Sequence, residues 1–156
     1  MRVGILGNEG SWYGADLARA ADELGHECVR VDFPLVAASC GESPSLERNL
    51  VSSAEHDLSG FDAIIVRTMP PGSLEQVVFR MDALACLANA GVEVVNSPRS
   101  MECAVDKFLT TTKLEAVGLS VPATVTCQDS ETAMGAFERL GGDVVVKPLF
   151  GAEGRG

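Results

Sequence analysis

The chain has 156 residues, 46% of them hydrophobic and 5% aromatic, and its formal net charge at pH 7 is -10. A chain of this length can bury the core of one domain or slightly more. Nucleic acids and anionic membranes both attract clustered Lys and Arg, and the sequence has no such cluster, so neither is an expected partner. The acidity is typical of a solvated surface.

The cysteines, histidines and N-terminus give no sign of a zinc site or of export. The five cysteines are an odd number without a C-x-x-C pair, and only two histidines accompany them. The N-terminus shows no signal-peptide pattern, and no apolar run approaches the roughly 18 residues of a membrane span. We therefore expect a reduced, cytoplasmic protein.

Strand and helix patterns alternate over the first two thirds of the chain. Apolar runs predict strands at 3–6, 28–31, 63–66 and 92–95. Helical spacing predicts one helix that ends at Gly25 and another that ends at Gly91. The second helix shows an apolar stripe formed by Leu74, Val77, Val78, Met81, Leu84, Ala85 and Ala88. Residues 34–60 are predicted to be irregular, with a short element around 46–51. This order predicts a doubly wound, Rossmann-like parallel sheet over residues 1–97.

A second domain is predicted over residues 98–156. Ser97 and Pro98 suit the start of a helix, and a further helical pattern ends at Gly118. A strand at 121–126, a helix at 131–140 and a buried strand at 144–146 follow. We expect this α+β domain to be incomplete, because its pattern stops inside a glycine-rich loop at 151–156.

The segment from Lys147 to Gly156 contains the most informative pattern. A predicted strand ends at Lys147, and three glycines follow within the last six residues. Glycine lets backbone N–H groups approach phosphate oxygens, and a lysine beside them adds positive charge. A flexible loop beside a solvent-reaching lysine explains the pattern equally well. The pair Asp106-Lys107 is open to both interpretations too, since such pairs are often merely solvated.

Taken together, these motifs resemble the RimK-like branch of the ATP-grasp superfamily. The resemblance rests on Asn96-Ser97-Pro98, Asp106-Lys107, the segments 114–124 and 144–148, and the loop at 151–156. It implies that Lys107 and Lys147 contact ATP. It also implies that the loop containing Gly151, Glu153, Gly154 and Gly156 closes over the phosphates. The resemblance implies Mg²⁺ as well, with its ligands beyond Gly156.

The family resemblance also implies an activity. Members of this branch are carboxylate–amine ligases, which add glutamate to ribosomal protein tails, pterin cofactors or carrier proteins. The resemblance therefore implies ATP, a small-molecule or peptide carboxylate as substrate, and an amino acid as the amine. The expected intermediate is an acyl phosphate. Family members often form homo-oligomers, and a homo-oligomer is expected for this protein only by that analogy. We expect the 156 residues alone to be inactive.

Residues of the first domain are candidates for binding the substrate. Arg67 follows the strand at 63–66, at the sheet edge where ligands gather, and could hold a carboxylate or phosphate. Arg80 lies off the predicted apolar stripe and either faces the same cleft or is a solvated helix residue. The loop from Gly7 to Ser11 is a candidate lip of this cleft.

Two other interpretations stay open at this point. The first is the dinucleotide-binding domain of an oxidoreductase, which the opening strand, glycine loop and helix favour, together with Asp32 after the second strand. Against it, Gly7, Gly10 and Gly14 do not form G-x-G-x-x-G. The second is a non-catalytic binding module.

Overall fold

The computed structural model describes residues 1–41 and 50–150. The chain forms two compact units, Met1–Pro98 and Arg99–Gly156. The predicted glycine-rich loop at 151–156 and most of the predicted element at 46–51 lie outside the described residues. The assignment of two domains to residues 1–97 and 98–156 stays a prediction.

The first unit alternates strands and helices. In chain order its described residues form β1 (Arg2–Leu6), α1 (Trp12–Glu23), β2 (Glu27–Val31), β3 (Val36–Ala38), β4 (Val51–Ser53), β5 (His56–Asp57), β6 (Ala63–Val66), α2 (Leu74–Asn89) and β7 (Glu93–Val95). Strands β2, β1, β6 and β7 pair in that order, all parallel. The predicted doubly wound parallel sheet is therefore confirmed.

The buried core of this unit follows from the sheet. Leu6 and Ile64 on the two central strands are 0% exposed, and so is Leu87 of α2. Gly4 of β1 leaves room for the Ile64 side chain of β6, because a Cβ at Gly4 would lie only 2.6 Å from it. Strands between two parallel neighbours are covered on both faces, which explains their unbroken apolar runs.

A small antiparallel sheet occupies much of the region predicted to be irregular. Strands β3, β4 and β5 pair in that order, and Val51 and Ser53 of β4 are buried. The Ser53 hydroxyl donates a 3.0 Å hydrogen bond to the Asp32 carbonyl. The prediction of an irregular segment is wrong here, because strands of two or three residues are too short to show alternation.

Helix α2 begins and ends as predicted but buries a different face. Ser73 and Gln76 form a reciprocal capping box at its start, and Gly91 with a φ of 98° follows its end. Its buried residues are Arg80, Ala83, Leu84 and Leu87, so only Leu84 of the predicted stripe is among them. The prediction that Arg80 lies off the buried face is wrong. A long arginine stem can be buried when its guanidinium finds a partner.

The second unit consists of three helices and extended segments among its described residues. The helices are α3 (Pro98–Val105), α4 (Lys107–Ala116) and α5 (Ser130–Arg139). The strands predicted at 121–126 and 144–146 do not form in this structure, and Val145 and Val146 are 79% and 87% exposed. A strand needs a hydrogen-bonded neighbour, and the described part of this unit supplies none. The prediction of two strands here is therefore wrong.

Candidate functional site

A cleft of about 310 Å³ lies beside the carboxyl end of β1 and is also lined by Arg67, which directly follows β6. The chain passes from β1 to β2 on one side of β1 and then returns to β6 on the other side. Parallel sheets bind ligands at this reversal of strand order, outside the carboxyl ends of the strands. The cleft is lined by residues of β1, the Gly7–Ser11 loop, α1 and β2, together with Arg67. The loop predicted as a lip does border a cleft.

Arg67 is fixed at this edge by its own backbone and by an aromatic ring. Its N–H donates a 2.8 Å hydrogen bond to the Leu6 carbonyl, and its guanidinium carbon lies 4.0 Å from the centroid of the Tyr13 ring. A cation over an aromatic face is electrostatically favourable. No oxygen partner of the Arg67 side chain occurs among the residues that the structure describes. Among the described residues, no carboxylate competes with a ligand for these hydrogen-bond donors.

Unlike Arg67, the other described arginines of the first unit have oxygen partners for their side chains. Arg2 and Arg19 pair with carboxylates on the surface, and Arg30 pairs with Asp32. Arg80 is 6% exposed and donates a 2.7 Å hydrogen bond to the Pro70 carbonyl. A guanidinium is a bidentate partner for carboxylate or phosphate when nothing else occupies it. Arg67 thus remains the best described candidate in this unit for binding an anion.

Arg80 instead supports the wall of a second, smaller cleft. This cleft of about 150 Å³ shares Gly7 and Asn8 with the first and is also lined by Pro70. Because Arg80 bonds to the Pro70 carbonyl, it fixes the loop that follows β6. The interpretation of Arg80 as a solvated helix residue is wrong, and its contact with a substrate stays a prediction.

Cys28 contributes an apolar wall to the first cleft. Burial raises the pKa of the Cys28 thiol above its ordinary value. A raised pKa keeps the thiol protonated at neutral pH, and a protonated thiol is a poor nucleophile. Cys28 is therefore a poor candidate for covalent chemistry in this cleft.

Sequence reasoning missed Trp12, which lines this cleft, and Tyr13, which contacts one of its lining residues. Trp12 lines the first cleft and Tyr13 carries Arg67, at the start of α1. A signal was present, because the chain has one Trp and one Tyr and they are adjacent. Neither residue belongs to an apolar stripe of α1, so a role in the core does not explain them and a binding role was the remaining interpretation.

In the second unit, a backbone hydrogen bond joins the two predicted lysine segments. The Lys107 N–H donates a 3.2 Å bond to the Leu149 carbonyl, which lies two residues after Lys147. Asp106 caps α4 by accepting a 2.8 Å bond from the Leu109 N–H. The start of α4 therefore lies beside the segment that leads to the glycine-rich loop. Phosphate contacts by Gly151, Glu153, Gly154 and Gly156 stay a prediction, since these residues lie outside the described part of the chain.

Neither a metal centre nor a membrane helix emerges from the described residues. Over 1–41 and 50–150, no three His, Cys, Asp or Glu side chains cluster closely enough to hold a metal ion. Over the same residues, no helix combines the length and apolar character that crossing a bilayer requires.

Comparison with known proteins gives relatives for the whole chain. No family model matches it. It is 36% identical over 155 residues to the tetrahydromethanopterin:alpha-L-glutamate ligase of Methanosarcina acetivorans, covering 99% of this chain and 48% of that protein. It is 29% identical over 135 residues to the glutamate–LysW ligase ArgX of Sulfolobus acidocaldarius, covering 83% and 45% of the two chains. The chain thus spans about half the length of the curated relatives it matches.

A solved structure agrees with these relatives. A RimK domain ATP-grasp protein from Sphaerobacter thermophilus superposes with a TM-score of 0.74 and 25% sequence identity, covering 100% of this chain and 52% of that one. Fold and relatives together define an ATP-grasp protein. Within that class the chain belongs to the RimK-like family.

Proposed function

We propose that the protein containing this chain is an ATP-dependent carboxylate–amine ligase that adds an amino acid to a carboxylate substrate. The names of its relatives favour glutamate as that amino acid. The relatives named above are glutamate ligases by their printed names. The observation that supports the proposal best is the 3.2 Å bond from Lys107 to Leu149, because it draws together the two segments with the candidate ATP-binding lysines.

The chemistry requires an activated carboxylate. A carboxylate is a poor electrophile at neutral pH, so its oxygen first attacks the γ-phosphorus of ATP and ADP leaves. The amine then attacks the carbonyl carbon of the acyl phosphate, inorganic phosphate leaves, and the amine loses a proton. Enzymes accelerate such steps mainly by positioning and by balancing charge on the phosphoryl oxygens.

We assign two kinds of charge balancing to this chain. Lys107 and Lys147 neutralise phosphate charge in the second unit, and backbone N–H groups of the loop 151–156 add hydrogen bonds to the phosphates. In the first unit Arg67 holds a substrate carboxylate, because its guanidinium is fixed over Tyr13 and has no oxygen partner among the described residues. The cytoplasm and a possible homo-oligomer stay predictions from the sequence.

Mg²⁺ is implied by the family and would neutralise phosphate charge when bound. The described residues do not fit a metal site, because no cluster of three or more potential ligands occurs among them. The metal ligands are therefore expected outside these residues. For the 156 residues by themselves we propose weak ATP binding and no turnover.

The test is ATP affinity in the longer protein that contains this chain, measured by calorimetry. Losing one charge-assisted bond to a phosphate costs about 1.5–3 kcal/mol, so Lys147→Ala is expected to weaken ATP binding roughly 10- to 100-fold. Lys107→Ala is expected to act in the same direction. Both variants should keep the circular dichroism spectrum of the parent.

Lys113→Ala is the matched control, because Lys113 is an exposed lysine of α4 in the last helical turn. It should leave ATP affinity unchanged. Equal affinity of Lys147→Ala and the parent would contradict the phosphate role. A melting temperature raised by NAD but not by ATP would favour the oxidoreductase interpretation instead.

A further inference from the structure

The loop that joins β6 to α2, residues 67–73, is held at both of its ends by hydrogen bonds. At its start, the Arg67 N–H donates a 2.8 Å bond to the Leu6 carbonyl. At its end, Ser73 and Gln76 form the capping box of α2. Two consecutive prolines lie between these ends, and proline has no backbone N–H to donate. The prolines therefore cannot hold the middle of the loop by donating backbone hydrogen bonds.

Arg80 of α2 supplies a hydrogen bond to the middle of this loop. Its side chain donates a 2.7 Å bond to the Pro70 carbonyl, and the residue is only 6% exposed. The side chain also packs closely against Gly72, where an added Cβ would lie 3.1 Å from the Arg80 Nη1. Burying a guanidinium is costly unless hydrogen bonds replace those that it made to water. Among the described residues no carboxylate pairs with Arg80, and its hydrogen bond goes to the loop.

The same side chain contacts the opposite wall of the smaller cleft. The Arg80 guanidinium carbon lies 5.9 Å from the centroid of the Phe33 ring, which is 4% exposed and follows β2. Phe33 and Pro70 both line the smaller cleft. This cleft thus has one wall after β2 and another after β6, and one buried arginine contacts both. Removing its guanidinium would release the two walls from each other.

We propose that Arg80 is a positioning residue for the substrate carboxylate and that it acts through Arg67. Only two residues separate Arg67 from Pro70, so the bond that fixes Pro70 limits how far Arg67 can move. Arg67 is thereby kept with its guanidinium carbon 4.0 Å from the centroid of the Tyr13 ring, where it lines the larger cleft. The inference rests on the ligase function proposed above, in which Arg67 holds the carboxylate.

The first test is the kinetics of hydroxamate formation by the longer protein, with Mg²⁺, ATP, hydroxylamine and N-(4-aminobenzoyl)-L-glutamate as the carboxylate probe. Arg80→Met removes the hydrogen-bond donors and keeps a long apolar stem. It should raise the KM for the carboxylate roughly tenfold, because a displaced Arg67 binds it less well. The KM for ATP should not change. Arg80→Lys, which retains a charged donor, should give a carboxylate KM between those of the parent and Arg80→Met.

Leu84→Ala is the matched control for a loss of stability alone. Leu84 is buried on the same helix, four residues after Arg80, and is not among the residues that line either cleft. Loss of folded protein lowers the apparent kcat and leaves KM unchanged. Leu84→Ala should therefore lower the melting temperature without changing either KM. An equal rise of the carboxylate KM in Leu84→Ala and Arg80→Met would overturn the proposal, because it would give Arg80 a structural role only.

A double-mutant cycle separates action through Arg67 from direct contact with the substrate. Arg67→Ala removes the partner of the carboxylate, so adding Arg80→Met should then raise the KM by less than about twofold. If Arg80 itself touches the substrate, its roughly tenfold effect should persist in the Arg67→Ala background. That persistence would overturn the proposal.

A second readout needs no substrate. The Arg67 guanidinium lies over the ring of the only Tyr in the chain, so ring currents should shift the Arg67 Nε–H signal in an NMR spectrum. The signal is assigned by its loss in Arg67→Ala. Arg80→Met should move it toward the position of a solvent-exposed arginine, and Leu84→Ala should leave it in place.

An unmoved Arg67 signal in folded Arg80→Met protein would overturn the positioning role. Failure of the ligase function gives a different result: the parent protein forms no hydroxamate, while the Arg67 signal still responds to Arg80→Met.

Discussion

The two units, Met1–Pro98 and Arg99–Gly156, carry similar apolar runs but bury them to different extents. Ala63 and Ile64 of β6 are buried between neighbouring strands, whereas Val145 and Val146 are mostly exposed. Among the described residues, Ala136 is the one buried hydrophobic residue of the second unit. An apolar run therefore specifies a buried strand only where hydrogen-bonded neighbours meet it.

The same contrast separates the candidate sites. The cleft of the first unit is formed by a completed parallel sheet, and its arginine is held by both a backbone bond and a ring. The lysine segments of the second unit are joined by one described backbone bond, from Lys107 to Leu149. We expect truncation of core side chains to affect stability most in the first unit, and substitution of the lysines to affect nucleotide binding in the second.

The largest expected effect comes from truncating a core leucine. Leu84→Ala in α2, where the side chain is 2% exposed, should lower the free energy of unfolding by about 3 kcal/mol because it leaves a cavity. Leu119→Ala, at 56% exposure in the second unit, should change it by less than about 0.5 kcal/mol. Urea denaturation measures both. A similar loss in the two variants would mean that burial does not distinguish the units.

A smaller effect is expected at the helix caps, and here the second unit is the more sensitive. Asp106→Ala removes the bond to the Leu109 N–H and should destabilise α4 by about 1 kcal/mol. Ser11→Ala should cost clearly less, because the Ser11 side chain makes no capping bond to α1. Amide hydrogen exchange in the two helices measures the difference. Equal losses of protection would contradict the capping geometry.

Helix α1 offers a substitution that separates stability from binding. In Gly14→Ala the new Cβ would lie 3.8 Å from the Ser11 Cβ, which is an ordinary van der Waals distance. Because glycine inside a helix is unfavourable, this substitution should stabilise the fold by about 0.5–1 kcal/mol. The same methyl group narrows the cleft that Gly14 lines and should weaken binding of a carboxylate substrate there. Gly135→Ala in α5 is the control, since it adds a methyl group far along the chain from the cleft. Tighter substrate binding in Gly14→Ala would count against binding in this cleft.

The smallest effect is a pH dependence of α5. Hydrogen bonds from the Thr132 N–H and hydroxyl, at 2.8 and 2.7 Å, hold the pKa of Asp129 below its ordinary value. A lowered pKa stabilises the helix above the unfolded value of about 3.9, and this stabilisation is lost as the pH falls through the folded value. A carboxyl ¹³C titration should therefore show its midpoint below about 3.9. Asp129→Asn should make amide hydrogen exchange in α5 independent of this titration.

Much of the first unit was predictable from sequence because its signals are local. The strands at 3–6 and 63–66 are unbroken apolar runs, and Gly25 and Gly91 mark helix ends with positive φ. The buried face of α2 was not predictable from its apolar stripe. The sheet selects the face that packs, and Arg80 lies on it because the Pro70 carbonyl accepts its hydrogen bond.

The candidate sites were predictable only in part, for a related reason. The position of Arg67 followed from the rule that ligands gather at the carboxyl ends of parallel strands. That Tyr13 carries the guanidinium, and that Trp12 lines the cleft, depends on how α1 approaches the sheet, which no local pattern specifies. The bond from Lys107 to Leu149 is likewise a tertiary contact.

The most direct test of the ligase proposal is the product of ATP cleavage in the longer protein. With Mg²⁺, ATP, N-(4-aminobenzoyl)-L-glutamate and hydroxylamine as the amine, activation through an acyl phosphate predicts ADP and a hydroxamate in equal amounts. Lys147→Ala should lose both products, and Lys113→Ala should retain them. Formation of AMP and pyrophosphate, or equal hydroxamate from Lys147→Ala, would contradict the proposal.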